Sequence, residues 1–389
     1  MSPVSSLTQR LGEVARTLDQ RFVGRSEAVR LLLISLVARE HAVLIGPPGT
    51  AKSALVRTLA ELVDARYFEY LLTRFTEPNE VFGPVDLEAF RRGEYRRRTA
   101  GMLPEAEVVF LDEVFKSNSA ILNSLLSLLN ERRYTSGGVV LECPLISVFG
   151  ASNEVPSDDT LGALFDRFLL RIRTESLDAY HFAELLDRGV AEEVRRLRRE
   201  PVRPLVTGAE LGTLMQRVGA GLELSSALLS TYKGLVFQLR AEGISFSDRR
   251  AVKTLKLLAA SALVDGRERA DEGDLFVLEH VWSSEEQIPL LRALVRPIVE
   301  AFHTEHPGRR RVGALGMGLD AMAAEIERIR QVLTGATAPS DLQLFAQLKA
   351  LGELRIALST QQDPQARALE QRVAQLLDAS LRGGRFAQP

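Results

Sequence analysis

The sequence contains very little cysteine and no long apolar run. Of its 389 residues only Cys143 carries a thiol, so no disulfide can form within the chain, as is usual in a reducing compartment. The longest apolar run, 31–38, lies between Arg30 and Arg39 and is far shorter than the ~20 residues that cross a bilayer. The first ten residues lack the apolar segment of a secretory signal. We therefore expect a soluble, cytoplasmic protein with no membrane span.

Net charge is also nearly absent. The chain has 49 Lys and Arg residues against 51 Asp and Glu residues, which gives a formal net charge of −2. This balance provides no overall attraction to nucleic acids or anionic lipids, although it leaves room for a local basic stripe. Hydrophobic residues (46%) and charged residues (26%) occur at ordinary globular frequencies, and the length corresponds to two or three domains.

Short apolar runs alternate with amphipathic segments over the first 175 residues. This alternation is typical of a parallel sheet covered by helices on both faces, so we expect an α/β domain over residues 1–176. The predicted strands are 41–45, 67–72, 108–111, 145–151 and 169–172, and the predicted helices are 26–40, 53–63 and 120–130. Two hairpins are expected to interrupt this pattern, one at 87–99 with a turn at Gly93 and one at 133–141.

The strand signals end near residue 175. Helical patterns at 178–200, 208–241 and 247–264 predict a helical lid domain over residues 177–290. A C-terminal helical bundle is expected over 291–389, with breaks at 335–339 and 363–364. Its apolar residues recur at helical spacing, at Leu319, Met322, Ile326, Ile329, Leu333, Leu344, Leu348, Leu351, Leu358, Leu369, Val373 and Leu376. We interpret them as the core of the bundle, with a partner-docking coiled coil as the alternative.

A glycine-rich loop lies between the first strand and the next helix. It consists of Gly46, Pro47, Pro48, Gly49, Thr50, Ala51, Lys52 and Ser53. Such a loop turns backbone N–H groups toward a phosphate at the positive end of a helix. Lys52 would then bridge the β- and γ-phosphates and Ser53 would bind Mg²⁺. Ala51 stands where the usual pattern has glycine, and we expect alanine to tolerate this conformation at small cost.

The apolar strand at 108–111 leads into Asp112 and Glu113. A carboxylate at the end of a strand beside a phosphate loop can hold Mg²⁺, and the next carboxylate can act as the base on an attacking water. Taken alone, the pair could equally be a surface feature; the upstream loop favours the catalytic interpretation. The extra strand at 67–72 is expected to keep the acidic strand away from the strand that carries the loop.

Further polar residues follow later strands. Asn153 follows the strand at 145–151 and could orient the water or the γ-phosphate, although an Asx turn is the alternative. Arg167 could serve the nucleotide of a neighbouring subunit as an arginine finger, against the alternative of a surface pair with Asp166. Arg171 and Arg173 are competing candidates for this finger.

In the expected lid, Ser247 or Asp248 has the position of a helix N-cap. Arg249 follows in the first turn, where its charge is unfavourable for the dipole of its own helix and an anionic partner is plausible. Arg249 could therefore fold back onto the nucleotide and couple the domain angle to its state.

Together these residues resemble the MoxR family of AAA+ ATPases. The sequences of the individual motifs are most similar to the regulatory ATPase variant A (RavA) branch. The segments that carry the resemblance are 22–25, 46–53, 73–83, 103–107, 110–113, 120–123, 130–132, 151–154 and 166–168. The resemblance is dense from about residue 20 to 175 and extends more weakly to about residue 290. Alanine at position 51 is usual in this family.

The resemblance implies a role for each candidate residue. Lys52 and Ser53 correspond to Walker A, Asp112 and Glu113 to Walker B, Asn153 to sensor 1, Arg167 to the arginine finger and Arg249 to sensor 2. Val23 and Gly24 correspond to the adenine-side box, and Ala54 completes the nucleotide-binding set. The two hairpins resemble the helix-2 insert and the pre-sensor-1 hairpin. ATP and Mg²⁺ are the implied cofactors.

The family further implies hexameric rings that act as chaperones on protein complexes, often beside a von Willebrand A (vWA) domain protein. One departure is the absence of a strand-rich pattern after residue 290, where RavA proper carries a β-rich insertion, so partners of that insertion are not expected here. Three alternatives stay open: a nucleic-acid motor using Arg91, Arg92, 96–98 and 309–311, a magnesium-chelatase-like motor subunit, and a non-hydrolysing nucleotide switch. The near-zero charge makes nucleic acid the less favoured partner.

Overall fold

The computed structural model describes most of the chain. The described residues are 3–156, 158–177, 179–198, 200–220, 224–306, 319–334, 344, 347, 348, 351, 352, 354, 355, 358 and 364–383. The chain divides into two compact units, one formed by 1–176 with 196–310 and the other by 177–195 with 311–389. The expected domain limits at residues 176 and 290 remain a proposal.

A five-stranded parallel sheet forms the centre of the first unit. Its strands are β1 (His41–Ile45), β2 (Tyr67–Leu71), β3 (Val108–Asp112), β6 (Ser147–Ser152) and β7 (Phe168–Arg173), separated by a hairpin of β4 (Arg133–Ser136) and β5 (Val139–Glu142). The order across the sheet is β2-β3-β6-β1-β7. Every residue of β1 and β6 is buried, which explains why mostly apolar or small residues mark these strands. The predicted α/β fold is confirmed.

Helices pack around this sheet. They are α1 (Pro3–Arg21), α2 (Ser26–Ala38), α3 (Lys52–Leu62), α4 (Pro78–Phe82), α5 (Leu87–Arg91), α6 (Ser119–Glu131) and α7 (Asp159–Phe165), with short 3₁₀ turns at Leu103–Glu105 and Val114–Lys116. Helix α1 was not expected from the sequence. It buries Leu7, Leu11, Val14 and Leu18. Their spacing of four, three and four residues is the helical signal that could have found it.

The hairpin expected at 87–99 is not present, whereas the second hairpin is. Residues Leu87–Arg91 form helix α5 because the Asp86 carboxylate caps its first turn, accepting hydrogen bonds from the backbone N–H groups of Glu88 and Ala89. The chain then returns antiparallel, and Val85 pairs with Arg97. The β4–β5 hairpin is confirmed.

The lid helices belong to the same compact unit as the sheet. They are α9 (Gly208–Ala220), α10 (Ser226–Ala241), α11 (Asp248–Val264) and α12 (Ile288–Glu305), with 3₁₀ segments at Glu272–His280 and Glu285–Gln287. The single helix expected over 208–241 is therefore two helices. An ionic anchor ties α11 to the sheet, because buried Glu40 lies 2.6 Å from the ammonium groups of both Lys253 and Lys256.

The second unit contains most of α8 (Ala179–Leu197) together with α13 (Leu319–Thr334) and α14 (Pro364–Gly383). Its apolar core includes Met322, Ile326, Ile329, Leu351, Leu354, Leu358, Ala366 and Val373. The core interpretation of the C-terminal stripes is thus confirmed for the six of these residues that were predicted, namely Met322, Ile326, Ile329, Leu351, Leu358 and Val373. The break expected at 335–339 lies outside the described residues. Among the helices described in either unit, none has the length and apolarity to cross a membrane.

Candidate nucleotide-binding site

The glycine-rich loop connects β1 to α3, as expected. Gly46 has a φ of +155° and Gly49 a φ of +80°, both in the region that favours glycine. Gly46 also approaches the end of β7 so closely that a Cβ there would lie 1.8 Å from the carbonyl oxygen of Thr174. The Thr174 N–H donates to the Ile45 carbonyl at 2.8 Å. The start of the loop is therefore packed against the end of β7, the strand that neighbours β1.

Ala51 adopts the left-handed conformation, with φ 61° and ψ 25°, directly before α3 begins at Lys52. The expectation that alanine would fit there at small cost is corrected by this geometry. A Cβ in the left-handed region costs roughly 1–2 kcal/mol. The loop therefore contains a strained residue where glycine would be relaxed.

The Lys52 side chain lies inside the loop. Its Nζ donates to the carbonyl oxygens of Gly46 at 2.8 Å and of Pro47 at 2.9 Å. Burial lowers the pKa of Lys52 below its ordinary value, while the charges of Asp112 and Glu113 oppose that shift. Among the described residues its hydrogen-bond acceptors are neutral, the third being the Thr50 hydroxyl at 3.5 Å, so this desolvated cation is suited to a strongly anionic ligand.

The donor chemistry of the loop fits a triphosphate. No side chain caps the N-terminus of α3, and the first N–H groups of any α-helix lack partners within the helix. The glycine conformations allow the loop backbone to approach a phosphate group at the N-terminus of α3 closely. For Mg²⁺, Ser53 and Asp112 are the candidate ligands, since this ion commonly uses one or two carboxylates together with phosphate oxygens.

The two carboxylates end β3, where expected. The Glu113 N–H donates to Oδ1 of Asp112 at 3.0 Å. Oε1 of Glu113 accepts a hydrogen bond of 2.9 Å from Nδ2 of Asn153 and lies 3.2 Å from Nζ of Lys116. The structure therefore brings together two of the expected catalytic residues, and it adds Lys116, which the sequence reasoning missed.

Strand β6, which ends at Ser152 beside Asn153, lies between β1 and β3. The prediction that the acidic strand is not adjacent to the loop strand is confirmed. The strand between them is β6, however, whereas β2 lies at the far edge of the sheet. Asn153 therefore follows the strand between the one that leads to Lys52 and the one that leads to Glu113.

Val23 and Gly24 lie in the turn between α1 and α2. Val23 is buried and Gly24 has a φ of +65°. The next residue, Arg25, donates to the carbonyl oxygen of Glu175 at 2.8 Å, and its charge contributes to the lowered pKa of Lys52. Arg25 therefore lies on the same side of the sheet as the loop, and sequence reasoning missed it although it directly follows the Val-Gly pair.

The three candidate fingers differ in burial. Arg171 is fully buried, and its guanidinium donates to the backbone carbonyls of Phe165, Leu169 and Val281. It is therefore not available to a neighbouring subunit in this conformation. Arg173 is exposed and lies 3.4 Å from Glu175 and 3.5 Å from Glu285. Arg167 follows α7, with its Nη1 3.5 Å from Oδ2 of Asp166.

Arg249 is the second residue of α11, directly after Asp248. Ser247 is the N-cap, accepting a hydrogen bond from the backbone N–H of Arg250 at 3.2 Å. The Arg249 guanidinium donates to Oδ1 of Asn130, near the end of α6, at 2.7 Å. Its partner in this conformation is thus a core helix rather than a residue of the glycine-rich loop.

Comparison with known proteins agrees with this arrangement. A family model described as the MoxR domain in the MoxR–vWA–β-propeller ternary systems matches residues 9–216, which is more than half of the chain. An uncharacterized protein of Methanocaldococcus jannaschii is 39% identical over 277 residues, which cover 71% of this chain and 72% of that protein. The chain belongs to the MoxR family of AAA+ ATPases.

Further matches cover only parts of this MoxR-family chain. A model of an AAA lid domain matches residues 229–295, which include most of α10 and all of α11. The chaperone MoxR1 of Mycobacterium tuberculosis is 26% identical over 43% of this chain and 44% of its own. A crystal structure assigned as an ATPase of Cytophaga hutchinsonii superposes with a TM-score of 0.61 at 20% identity, covering 76% of this chain and 95% of that one. This last similarity supports the fold.

Proposed function

We propose that this MoxR-family chain hydrolyses ATP and uses the energy to remodel or activate protein complexes, acting as a chaperone in a hexameric ring. The observation that carries the hydrolytic part is the Asn153–Glu113 hydrogen bond at the carboxyl ends of two neighbouring strands, beside the strand that leads to Lys52. The name of the M. tuberculosis relative supports the chaperone part. Ring assembly and remodelling rest on the family resemblance.

In this proposal each residue has a distinct task. The loop N–H groups and Lys52 bind the phosphates, and bound Mg²⁺ would supply charge neutralisation at the reacting phosphate, with Ser53 and Asp112 as its protein ligands. Glu113 accepts the proton of the attacking water. Asn153 orients that water or the carboxylate, and Val23 and Gly24 lie on the adenine side. Arg249 reports nucleotide state to the lid.

Substitution of the proposed base tests hydrolysis directly. Glu113→Gln preserves size and hydrogen bonding but removes the basic oxygen, so ATP binding is retained and turnover falls by at least about 100-fold. Lys52→Ala instead abolishes ATP binding. Glu61→Gln, an exposed position on α3, is the matched control and retains parental turnover. Hydrolysis by Glu113→Gln at the parental rate contradicts the assignment of the base.

The proposed ring places Arg167 at the site of an adjoining subunit. Mixing Arg167→Ala with Lys52→Ala protein then restores part of the lost turnover, because some interfaces combine an intact site with an intact finger. Size measurements and cross-linking establish that mixed rings form. Absence of restoration at every mixing ratio, with mixed rings present, contradicts a finger supplied by the neighbour.

The proposed partner is a vWA-domain protein. The description of the matching family model, which names ternary systems with vWA and β-propeller proteins, supports it. The test is purification of the Glu113→Gln variant with ATP, with and without a vWA-domain protein from the same genome. ATP-dependent co-elution supports the proposal, and its absence with correctly folded proteins contradicts it. A cytoplasmic location and a place beside the RavA branch remain predictions.

The basic residues of the α5 region give little support to the nucleic-acid alternative. Arg96 and Arg98 lie 4.0 and 3.6 Å from the Asp86 carboxylate. Arg97 donates to Oδ1 of Asn79 and to the carbonyl oxygen of Gly83. These contacts partly satisfy the arginines within the chain, so less of their charge is left for a phosphate backbone.

A further inference from the structure

Asp166 receives two arginines from different parts of the fold. Its Oδ1 lies 2.5 Å from Nη2 of Arg250, which belongs to lid helix α11. Its Oδ2 lies 3.5 Å from Nη1 of Arg167, the proposed finger. One carboxylate in the turn after α7 therefore touches both the lid and the residue expected to act on a neighbouring subunit.

Arg250 is firmly held within the lid. Its side chain is only 5% exposed. The Nη1 atom lies within hydrogen-bond distance of the Ser245 and Val281 carbonyl oxygens and of the Ser283 hydroxyl. Burial lowers the pKa of Arg250 from its ordinary value, and Asp166 opposes that shift. The contact with Asp166 thus compensates a charge that the lid itself surrounds with neutral groups.

The Arg167 side chain is only 23% exposed, and burial together with the nearby charge of Arg249 lowers its pKa from the ordinary value. Its Nε is buried and has no hydrogen-bond partner among the described residues. Asp166 is its ion-pair partner in the described part of the chain. A shift of the Asp166 carboxylate therefore changes the orientation that Arg167 can adopt.

The first turn of α11 also touches a second core element. Arg249 contacts Asn130 near the end of α6, while Arg250 contacts Asp166 after α7. Both residues belong to the first turn of α11, so a rigid displacement of that turn that separates Arg249 from Asn130 also displaces Arg250. The lid thus has a direct lever on the segment that carries Arg167.

The geometry points to Arg250 and Asp166 as positioning residues through which the lid of one subunit sets the orientation of its own arginine finger, and so the hydrolysis rate of its neighbour. This inference rests on the proposed function, since it needs Arg167 to act in the adjoining site. It assigns a specific link between the lid and the neighbouring site. Neither residue is expected to contact the nucleotide.

A mixed-ring experiment can locate the effect on one side of the interface. One protein carries Lys52→Ala and supplies only a finger; the other carries Arg167→Ala and supplies only a site. Adding Arg250→Gln to the finger donor should lower the restored turnover by at least about tenfold, because a misplaced finger loses much of its contribution. Adding it to the site provider should leave the restored turnover within about twofold and ATP affinity unchanged.

Asp166→Asn is the second variant, because asparagine keeps the shape of this half-exposed side chain and its amide oxygen can still accept a hydrogen bond from Arg250. It should show the same one-sided loss. Arg240→Gln is the matched control, because the Arg240 guanidinium donates to Asp248 and to the Phe246 carbonyl, both within the lid region. In the finger donor it should leave restored turnover unchanged.

The outcomes separate the two proposals. Suppose that the Lys52→Ala and Arg167→Ala proteins restore turnover when mixed. If adding Arg250→Gln then lowers the restored turnover equally on either side, or not at all, the positioning role is overturned while the finger in the neighbouring site stands. Failure of the parental pair to restore turnover in proven mixed rings overturns the neighbouring-site finger, and with it this inference. A one-sided loss with both Arg250→Gln and Asp166→Asn supports it.

Discussion

Nδ2 of Asn153 donates a hydrogen bond of 2.9 Å to Oε1 of Glu113. The two residues follow neighbouring parallel strands, so the backbone ladder between β3 and β6 fixes their separation. Glu113 itself has a φ of +52°, a conformation that a side chain rarely adopts without support. The amide is therefore one of the groups that hold the proposed base in a defined direction.

Removing this amide should affect turnover more than binding. Asn153→Ala leaves the phosphate loop intact but frees the Glu113 carboxylate, so we expect ATP affinity within about threefold of the parent and kcat lower by roughly 10- to 100-fold. Nucleotide titration and steady-state phosphate release measure the two effects. Gln238→Ala, an exposed position on α10, should leave both unchanged. A large loss of affinity with unchanged kcat would show that Asn153 serves binding alone.

The strain at Ala51 predicts a stabilising substitution. Glycine adopts the left-handed conformation without the Cβ contact, although it also gains entropy in the unfolded chain. Ala51→Gly should therefore raise the free energy of unfolding by up to about 1 kcal/mol in the absence of nucleotide. The control is Ala54→Gly, at an exposed position in the first turn of α3. This substitution should lower the free energy of unfolding by about 1 kcal/mol. Denaturant titration of both variants measures the contrast, and a destabilised Ala51→Gly contradicts it.

Buried His41 predicts a loss of stability in acid. Its Nδ1 accepts from the Val148 N–H, and its Nε2 therefore donates to the Leu129 carbonyl, both at 3.0 Å. Burial lowers the pKa of His41 from 6.5 to about 3. Because the folded pKa lies below the unfolded one, the unfolded chain binds the extra proton, and stability that is present above pH 6.5 is lost as the pH falls toward 3.

The expected slope is about 1.4 kcal/mol per pH unit below pH 6.5 from this group alone. His41→Gln can keep one acceptor and one donor but does not titrate, so it should lack this component. The measurement is the difference in unfolding free energy between the parent and the variant from pH 7.5 to 5. Parallel pH curves for the two proteins would show that His41 becomes protonated without unfolding.

The fold was largely predictable where burial alone decides the local structure. The segments 42–45 and 108–111 are continuous apolar runs because both faces of a parallel sheet are covered. The region after Asp86 was interpreted as a hairpin because Gly93 favours a turn, yet the competing N-cap signal of Asp86 decided its structure. Helix α1 was missed although its apolar spacing was present.

The site was predictable only in part, for a physical reason. Lys52, Asp112 and Glu113 belong to local patterns, in which one strand, one turn and one helix determine the chemistry. The contacts of Asp166 with Arg250, and of Glu40 with Lys253, join segments more than 80 residues apart. Such pairs arise from packing of the lid on the sheet, which a pattern of neighbouring residues does not encode. The left-handed geometry of Ala51 is likewise visible only in coordinates.

The position of β6 in the sheet fixes the distance between the functional residues at the carboxyl ends of β1 and β3. Neighbouring strands lie about 4.8 Å apart, so β1 and β3, with β6 between them, are separated by about 10 Å. This width leaves room for a small anion and a water molecule between the ends that carry Lys52 and Glu113. Hydrogen bonds of the main chain set that width. Point substitutions can therefore change the side chains at the ends of β1 and β3 but not the distance between the two strands. Altering the gap would require a strand to be added or removed.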